Sequence, residues 1–425
     1  MNPRVVVTGA GVVAPNAIGI AAFEKALREG HSGLRAIAGL DALGFACQVA
    51  GVPQGVDARA EASIASDLLL AMNTSHRYAA LAALEAWSDA GLPRSEASGD
   101  RVDWDSGAVL GTGIGGMDTI ATRVVPLTDA GKLRRLGSTA VEQSMASGIS
   151  ARVGGLLGLG NQVTTNSSAC ATGTEAILEG ALRIRHGRAQ RMLCGGVEGE
   201  SLHSWAGFDA MRVTARGWNA EPERASRPLS ASASGFVPAA GAGVLLLESL
   251  DAALARGATI RAELLGGAVN CGGQRGGGSM TAPNPEGVAR CIRAALDDAG
   301  IAPGRIDAIN GHLTATAADP REVRAWAAAL GCAPASLPPL TATKSLIGHA
   351  LGAAGGIEAV ACVLMLERGF LHASRNCEDL HPELDAYAGS IVRAARDMPG
   401  LRTLAKASFG FGDVNACLVF QHWNE

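Results

Sequence analysis

The chain contains one helical segment that occurs twice, about two hundred residues apart. The run AALEAWSDAGLP at residues 82–93 is echoed by AALDDAGIAP at residues 294–303. In both copies an apolar strand pattern follows and ends in small polar residues, at 109–116 and at 306–316. A spacing of about two hundred residues between the copies is too long for a solenoid. It predicts two similar halves packed against each other. The alternative is coincidence in a chain rich in Ala and Gly.

Short apolar strands alternate with longer helical patterns along the whole chain. Residues 4–8 and 106–111 are typical of strands, and residues 20–29 are typical of a helix. Residues 4–11 also resemble residues 260–267, at the start of each supposed half. The alternation predicts an α/β fold with mixed sheets.

Composition and charge exclude several classes of function. The net charge of −4 and the pI of about 6.2 leave no basic field for nucleic acid. The N-terminus lacks the charged and apolar regions of a signal peptide, and no long uncharged apolar run follows, so no membrane span is expected. The nine cysteines form no CxxC pattern. We therefore expect no metal site and no disulfide framework, but a reducing compartment, the cytoplasm.

Cys170 is the first candidate for chemistry. It lies in the run VTTNSSACATGTEAI at residues 163–177, where small residues turn the chain between an apolar stretch and a helical pattern. The positive end of a helix favours thiolate over thiol, and the thiolate is the nucleophile. A buried structural thiol is the alternative for a lone cysteine. The surrounding small residues favour the nucleophile.

Two histidines lie where a strand gives way to a loop or helix. His312 follows a strand in the run HLTAT, and His349 ends the run TKSLIGH. Such positions suit groups that project into a site. Lys344 precedes His349 by five residues, and Glu358 lies on the helix beyond and could pair with it. One cysteine with two histidines indicates acyl-thioester chemistry through a covalent intermediate.

A glycine pattern near the N-terminus imitates a nucleotide site. GAGVVA at residues 9–14 matches the dinucleotide fingerprint, but a single match is weak. The fingerprint also needs an acidic residue at the end of a second strand about twenty residues later. Residues 30–40 contain no such strand, so nucleotide binding is not expected.

These motifs, in this order, resemble those of the β-ketoacyl-acyl carrier protein synthases (ketosynthases) of the thiolase superfamily, close to the elongating type I/II enzymes. The resemblance extends over nearly the whole chain, from VVVTGAGVVAP at residues 5–15 to ASFGFGDVNA at residues 407–416. Its most specific parts are SACATG around Cys170, the H-x-T-x-T at His312, and TKSLIGH followed by LGAAG around His349.

The resemblance implies a five-layered αβαβα thiolase fold with two pseudo-duplicated halves. Residues 1–252 would contain the nucleophile, and residues 253–425 the two histidines and the lysine. The family is usually homodimeric, and a heterodimer with a related subunit is an alternative. Its substrates are attached to the phosphopantetheine of an acyl carrier protein, so the carrier is the expected partner and no free cofactor is expected.

The resemblance also implies roles for single residues. Cys170 would accept an acyl chain, His312 and His349 would hydrogen-bond the malonyl thioester carbonyl, and Lys344 and Glu358 would support them. Further roles are an oxyanion hole formed by backbone N–H groups, contacts to pantetheine, a wall of the acyl pocket and a gate. The backbone N–H groups of Cys170 and Phe409 would form the oxyanion hole, and Thr314 and Thr316 would contact pantetheine. Ile114 would line the acyl pocket, and Phe409 would also be its gate.

The chain departs from the family pattern at three places. The usual H-G-T contains Leu313 instead of glycine, which we expect to crowd or reshape the malonyl entrance. The usual R-P-F-D-x-x-R-D-G-F is RPLSASASGF at residues 227–236, and the usual G-E-G-A-G is AAGAG at residues 239–243. These changes lie outside the predicted reacting residues and suggest a divergent subfamily, serving a pigment or another specialised polyketide rather than fatty acids.

Two other functions compete. A thiolase would use a second cysteine in a CxG motif near the C-terminus, whereas Cys417 lies in NACLV without the glycine. A non-catalytic partner subunit of the chain-length-factor type would have lost the nucleophile, whereas Cys170 is present. We therefore predict decarboxylative condensation, in fatty acid or polyketide biosynthesis.

Overall fold

A computed structural model describes residues 3–93 and 101–424. Its main elements form two consecutive β-α-β-α-β-α-β-β units. The first contains β1 Val5–Ala14, α1 Thr74–Asp89, β2 Ser106–Gly111, α2 Gly148–Leu157, β3 Val163–Thr164, α3 Thr172–Arg185, β4 Arg191–Glu198 and β5 Gly241–Ser249. The second contains β6 Ala262–Cys271, α4 Pro285–Ala299, β7 Ala308–Asn310, α5 Asp319–Leu330, β8 Leu340–Thr341, α6 Ala354–Arg368, β9 Thr403–Gly410 and β10 Val414–His422.

The strand order confirms the predicted duplication. The ten strands follow the order β8-β7-β9-β10-β6-β1-β5-β4-β2-β3 in one mixed sheet. From the centre outward, every strand of the first half has its counterpart five strands later in the second. The halves join through a short antiparallel ladder between β1 and β6, from Val5 opposite Leu264 to Val7 opposite Ala262. The repeated helices of the sequence are α1 and α4, which occupy equivalent places.

The helices form three layers around the two half-sheets. On one outer side α1 packs on β1 and β5, and α2 packs on β2. On the other, α4 packs on β6 and β10, and α5 packs on α4. Between the half-sheets lie α3 and α6, which contact strands of both halves. All of α6 except its last two residues is buried, as expected for a helix that is apolar on every side. The five-layered αβαβα arrangement is therefore confirmed.

The glycines of GAGVVA serve packing. The strand does not end at Thr8 as predicted, because β1 continues to Ala14 and is buried throughout. A Cβ at Gly9 would lie 2.0 Å from the carbonyl oxygen of Ala86, and one at Gly11 would lie 2.0 Å from that of Ala82. The two glycines let α1 pack directly against the strand. The motif is thus the middle of a central strand and not a phosphate-binding loop.

Shorter elements connect the main ones. Small strands are Ala17–Ile18, which pairs with β1, and the two pairs Leu34–Ala36 with Val49–Gly51 and Phe370–Leu371 with Arg396–Asp397. Short helices and turns are Ile20–Glu29, Val56–Ser63, Ser66–Leu69, Met117–Thr119, Ile120–Val124, Val125–Asp129, Leu133–Leu136, Ala140–Ser144, Ala169–Ala171, Leu202–Ala210, Pro222–Arg224, Leu250–Ala255, Pro303–Arg305, Pro334–Ser336, Lys344–Ile347, Leu351–Ala353 and Pro382–Ser390.

The predicted boundary between residues 252 and 253 falls inside the helix Leu250–Ala255, which connects β5 to β6. Within residues 3–93 and 101–424, no helix combines the length and the apolar content that a bilayer crossing requires.

Candidate active site

Cys170 lies in a strained turn at the start of α3. The turn Ala169–Ala171 is a single 3-10 turn that continues into the helix. The Thr172 hydroxyl closes it, accepting the N–H of Ser168 at 2.8 Å and donating to the carbonyl of Ala169 at 2.6 Å. Ala169 has a φ of 49°, in the left-handed region that non-glycine residues avoid. Strain of this kind is concentrated at functional sites.

The second half repeats this turn and thereby places His349. The turn Leu351–Ala353 leads into α6, and Leu351 has a φ of 48°. Because α3 and α6 are equivalent helices of the two halves, their N-terminal ends approach each other in the layer between the half-sheets. His349 precedes the second turn, and its Nε2 lies 3.1 Å from the Cys170 Sγ.

Hydrogen bonds determine the tautomer of His349. The N–H of Leu351 donates to His349 Nδ1 at 3.1 Å, so the ring proton of the neutral imidazole is on Nε2. The backbone is held by the strand-like segment before β5: His349 N–H donates to Val237 O at 2.7 Å, and Ala239 N–H donates to His349 O at 2.9 Å. The Phe236 ring packs edge-on with its centroid 5.2 Å from that of His349. Sequence reasoning had not assigned Phe236 to the site.

His312 adopts the same tautomer. The Lys344 ammonium, which can only donate, lies 3.3 Å from His312 Nδ1, so the proton is again on Nε2. Lys344 forms an ion pair with Glu358, and both side chains are buried. The rings of His312 and His349 are nearly perpendicular, with centroids 5.4 Å apart. The structure thus brings together the cysteine, the two histidines, the lysine and the glutamate that the sequence indicated.

Two buried carboxylates hold the loop that contains His312. Glu322 accepts the N–H groups of His312 at 2.6 Å and of Leu313 at 2.8 Å. Asp319 accepts those of Thr314 at 2.9 Å and of Ala315 at 3.1 Å. Sequence reasoning missed both acids. The available signal was a pair of acidic residues in the first turn of the helix that follows the histidine.

Replacing Glu322 by Ala is expected to lower the free energy of unfolding by about 2–4 kcal/mol, since two buried N–H groups lose their acceptor. Urea unfolding followed by circular dichroism measures this change. Glu61→Ala removes an exposed glutamate and is the matched control, expected to stay within about 0.5 kcal/mol of the wild type. Equal stability of the two variants would contradict the supporting role of Glu322.

The resting site is neutral at the reacting atoms. Burial and the nearby Lys344 and Lys406 charges lower the pKa of both His312 and His349 well below 6.5. Burial raises the pKa of the Cys170 thiol to about 11, against the opposing effects of the Lys344 charge and a hydrogen bond from the Phe411 backbone. The expectation of a resting thiolate is therefore wrong, because desolvation of the sulfur outweighs the neighbouring positive charge.

A cavity of about 150 Å³ connects these groups to the surface. Cys170, His312 and His349 lie in its wall, and Thr314 and Thr316 line it further out. The two threonine hydroxyls lie 3.0 Å apart and hydrogen-bond each other. Much of the remaining wall is aromatic or aliphatic: Phe208, Val213, Phe236, Val288, Leu351, Phe409 and Phe411.

The two phenylalanines of SFGFGD occupy different places. Phe409 is buried, with its ring centroid 6.0 Å from that of His312. Phe411 is half-buried at the cavity wall, and its backbone N–H is the donor that hydrogen-bonds the Cys170 sulfur. The geometry therefore favours Phe411 over the predicted Phe409 as backbone donor and as a movable aromatic. The two differ by one strand repeat, so the motif alone did not distinguish them.

Ile114 lies away from the cavity wall in this single chain and is 37% exposed. Its N–H donates to the buried carboxylate of Glu198 at 3.2 Å. Glu198 also accepts the N–H groups of Gly113 at 2.8 Å and of Gly352 at 3.0 Å, and thus ties the loop after β2 to the turn before α6. An acidic residue at the end of a buried strand was the available signal for Glu198.

The departures from the family pattern have distinct positions. Leu313 does not crowd the entrance with its side chain, which is fully buried in an apolar cluster with Val323 and Trp326 and does not line the cavity. In the serine-rich segment, Arg227 pairs with Asp379 at 2.9 Å. Ser230 hydrogen-bonds the same carboxylate at 2.5 Å, so the acidic partner of Arg227 comes from a distant loop.

The Cys170 sulfur and one nitrogen from each histidine lie within 4.8 Å of one another, close enough to be considered as metal ligands. A metal would need an unprotonated Nε2 on both rings. That would move the ring protons to Nδ1, where the Leu351 N–H and the Lys344 ammonium already donate. The hydrogen-bond pattern therefore fits two N–H donors and does not fit a metal centre.

Comparison with known proteins identifies the family of the chain. Residues 2–253 match the family model "Beta-ketoacyl synthase, N-terminal domain", and residues 261–378 match "Beta-ketoacyl synthase, C-terminal domain". A curated relative is 3-oxoacyl-[acyl-carrier-protein] synthase 2 of Synechocystis sp., 35% identical over 99% of this chain and 98% of the relative.

Two solved structures are similar over the full length of both chains. One is the ishigamide ketosynthase/chain length factor, 32% identical with a TM-score of 0.88. The other is a type II polyketide ketosynthase bound to a hexaketide in complex with its acyl-carrier protein, 30% identical with a TM-score of 0.88. With both halves matched by their family models, the chain belongs to the β-ketoacyl synthase family and is a ketosynthase.

Proposed function

We propose that the site condenses a malonyl-carrier thioester with an acyl group held on Cys170, with loss of CO₂. The observation that supports this assignment is the convergence of one cysteine sulfur and one ring nitrogen from each of two histidines within 4.8 Å at the wall of one cavity. A nucleophile and a pair of neutral donors are what the two half-reactions need.

The first half-reaction transfers the acyl group. The Cys170 sulfur attacks the carrier thioester, and the departing carrier thiolate takes up the proton that the cysteine loses. The tetrahedral oxyanion is stabilised by backbone N–H groups, for which we assign those of Cys170 and Phe411. Because Cys170 rests as a thiol, its deprotonation is part of the activation barrier. The Nε2–H of His349, 3.1 Å from the sulfur, stabilises the thiolate as it forms.

The second half-reaction forms the carbon–carbon bond. Malonyl decarboxylation leaves an enolate, whose oxygen accepts hydrogen bonds from the Nε2–H groups of His312 and His349. One such preorganised donor is worth about 3–4 kcal/mol in other enzymes. The enolate carbon attacks the Cys170 thioester, and the sulfur leaves and is reprotonated. Lys344, held by Glu358, keeps the His312 proton on Nε2 by donating to Nδ1.

The residues at the site favour this reaction over the two alternatives. A thiolase would need a second cysteine at the site, and Cys417 is buried in β10, paired with Ala407 and Ala268, away from the cavity lining. A chain-length-factor-like subunit would lack the nucleophilic cysteine. In this chain Cys170 is present and its sulfur contacts His349.

The substrates are attached to the phosphopantetheine of an acyl carrier protein. Thr314 and Thr316 lie in the wall of the same cavity as His312, and we assign them the pantetheine arm. The similar polyketide ketosynthase was solved with its carrier protein. No free cofactor is needed, because both bond-forming steps use groups of the chain and of the substrates.

We propose a dimer with a like subunit, formed along the edge of β3. At the opposite end of the sheet β8 is covered, since Val392 N–H donates to Leu340 O at 3.1 Å. The β3 edge is only half-buried, and several apolar side chains in the preceding connection are exposed: Ile114, Val125, Leu133, Val141 and Met145. Exposed strand edges and exposed apolar patches of this kind are usually covered by another protein surface. A single-chain mass in light scattering would contradict the dimer.

We propose the cytoplasm, or an equally reducing compartment, as the location. All nine cysteines are free thiols, which is typical of proteins that stay in a reducing environment. Recovery of the native protein from the source cells with its cysteines oxidised to disulfides would contradict this proposal.

The experiment that tests the function supplies an acyl carrier and a malonyl carrier. We expect CO₂ release, a chain extended by two carbons, and an acyl group on Cys170 in mass spectrometry when malonyl is withheld. Consumption of an acetyl thioester without CO₂ release would favour the thiolase. An unacylated Cys170 in a folded protein would favour the non-catalytic partner.

A further inference from the structure

A second lysine is buried behind the reacting residues. Lys406 lies on β9, two residues before Ser408, and its side chain is completely buried. Neither reaction step above uses it. Among the described residues it is one of the largest fully buried side chains, beside the apolar Trp326 and Phe23. A lysine is rarely placed in such an environment unless each of its protons has an acceptor.

Three oxygens from three different elements surround the Lys406 ammonium. Its Nζ lies 3.1 Å from the second carboxylate oxygen of Glu358 on α6 and 2.5 Å from the Thr174 hydroxyl on α3. The third acceptor is the Ser408 hydroxyl on β9 itself. Thr174 and Ser408 are also 2.9 Å from each other. The ammonium therefore hydrogen-bonds two hydroxyl groups and forms an ion pair with Glu358, while burial lowers its pKa from the usual value.

These three elements are the ones that hold the reacting groups. Helix α3 begins just after Cys170, and β9 leads through Phe409 to the loop of Phe411. Glu358 on α6 gives its other oxygen to Lys344, which donates to His312. One charged group thus connects the nucleophile, the backbone donor and the chain of contacts behind His312.

The cluster also has an uneven charge. Lys344 and Lys406 share the single carboxylate of Glu358, so these three side chains together have one net positive charge. Both histidines have their pKa lowered in part by Lys406. The titratable groups that face this cluster from the packed elements are Cys170, Glu198, His312, Glu322, Lys344, His349, Glu358, Cys362 and Cys417.

We propose that Lys406 is a positioning residue of the condensation site, which fixes Glu358 against the helix of Cys170 and adds the net positive charge that keeps His312 and His349 as neutral donors. This inference rests on the proposed function, because it concerns the histidines in their donor role. Lys406 does not touch the substrate cavity, so its effect passes through Glu358, Thr174 and Ser408.

The test is the pH dependence of malonyl-carrier decarboxylation in the intact protein. In the wild type the fall that belongs to the histidines is expected only below pH 6.5, because burial and the two lysine charges lower their pKa. Burial raises the pKa of Glu198 and of Glu322 to about 7, and any change of rate from their titration is expected in the wild type and in the variants alike. In Lys406→Met the cluster loses its net charge. The fall on the acid side is then expected about one pH unit higher, because removal of a nearby like charge raises the pKa of an imidazole.

A double variant separates charge from structure. Lys406→Met combined with Glu358→Gln restores the net charge of +1 through Lys344 and leaves no unpaired carboxylate. Its acid fall is expected back near the wild-type pH, although its maximal rate is lowered. If the single variant does not fold, the double variant still tests the proposal through the pH at which its rate falls. A merely structural lysine would leave the pH position unchanged in the single variant, and this result overturns the proposal. A double variant whose acid fall is displaced from the wild-type pH overturns it as well, because the restored charge should restore the position.

Two controls complete the experiment. Lys25→Met removes an exposed lysine whose nearest acid, Glu29, lies 3.9 Å away, and it is expected to keep the wild-type profile. NMR titration of the ring protons of His312 and His349 reports their pKa without turnover. A wild type that releases no CO₂ would therefore contradict the proposed function alone. Unchanged histidine titration in Lys406→Met would contradict the inference alone.

Discussion

Cys170→Ala is expected to lower acyl transfer and condensation by about 10⁴-fold or more, since covalent enzymes lose most of their rate with the nucleophile. Decarboxylation of the malonyl carrier is expected to continue, because the Nε2–H groups of His312 and His349 remain in place. The variant should therefore release CO₂ without making the extended product. Product analysis by mass spectrometry and CO₂ release measure the two outcomes separately.

The chain offers a matched control among its other thiols. Cys332→Ala removes a partly exposed cysteine that lies just beyond α5, and it should condense at the wild-type rate. Normal condensation by the Cys170→Ala protein would falsify the assignment of the nucleophile. Loss of decarboxylation together with condensation would indicate instead that Cys170 helps to shape the histidine donors.

His312→Ala and His349→Ala are each expected to lower decarboxylation and condensation by about 10²- to 10³-fold, the effect of removing one preorganised donor to a developing oxyanion. Self-acylation of Cys170 should fall much less, most clearly in His312→Ala. The His349 variant loses in addition the Nε2–H that lies 3.1 Å from the sulfur. Single-turnover acylation and steady-state CO₂ release separate the two steps.

An exposed histidine provides the comparison for these variants. His186→Ala, at the C-terminal end of α3, should leave both steps unchanged. If His312→Ala slowed acylation as strongly as decarboxylation, the division of labour between the sulfur and the two imidazoles would be wrong. The histidines would then act on the nucleophile rather than on the enolate.

Local patterns predicted much of the secondary structure. The helix expected at residues 20–29 and the strand expected at 106–111 have these bounds in the structure. The error at β1 has a physical cause: Gly9 and Gly11 interrupt the apolar pattern in the sequence, yet they lie in a strand because α1 packs against them. A glycine that ends a strand and one that admits a helix cannot be distinguished from the sequence.

Residue type and position also indicated the principal groups of the site. Cys170, His312, His349, Lys344 and Glu358 were chosen from their local settings and lie in contact. Their partners were not found this way. Glu322 and Glu198 act on backbone N–H groups, and nothing in their own neighbourhood in the sequence says which N–H groups those are.

Local patterns were enough to predict the duplicated α/β fold, the cysteine at a helix start and the pair of histidines after strands, because periodicity and side-chain chemistry are local properties. Tertiary structure decided the protonation state of Cys170, the choice between Phe409 and Phe411, and the position of Ile114 outside the cavity of one chain. It also revealed Lys406 between three elements. Desolvation and approach distances depend on residues hundreds of positions apart, so they exist only once the two halves are packed together.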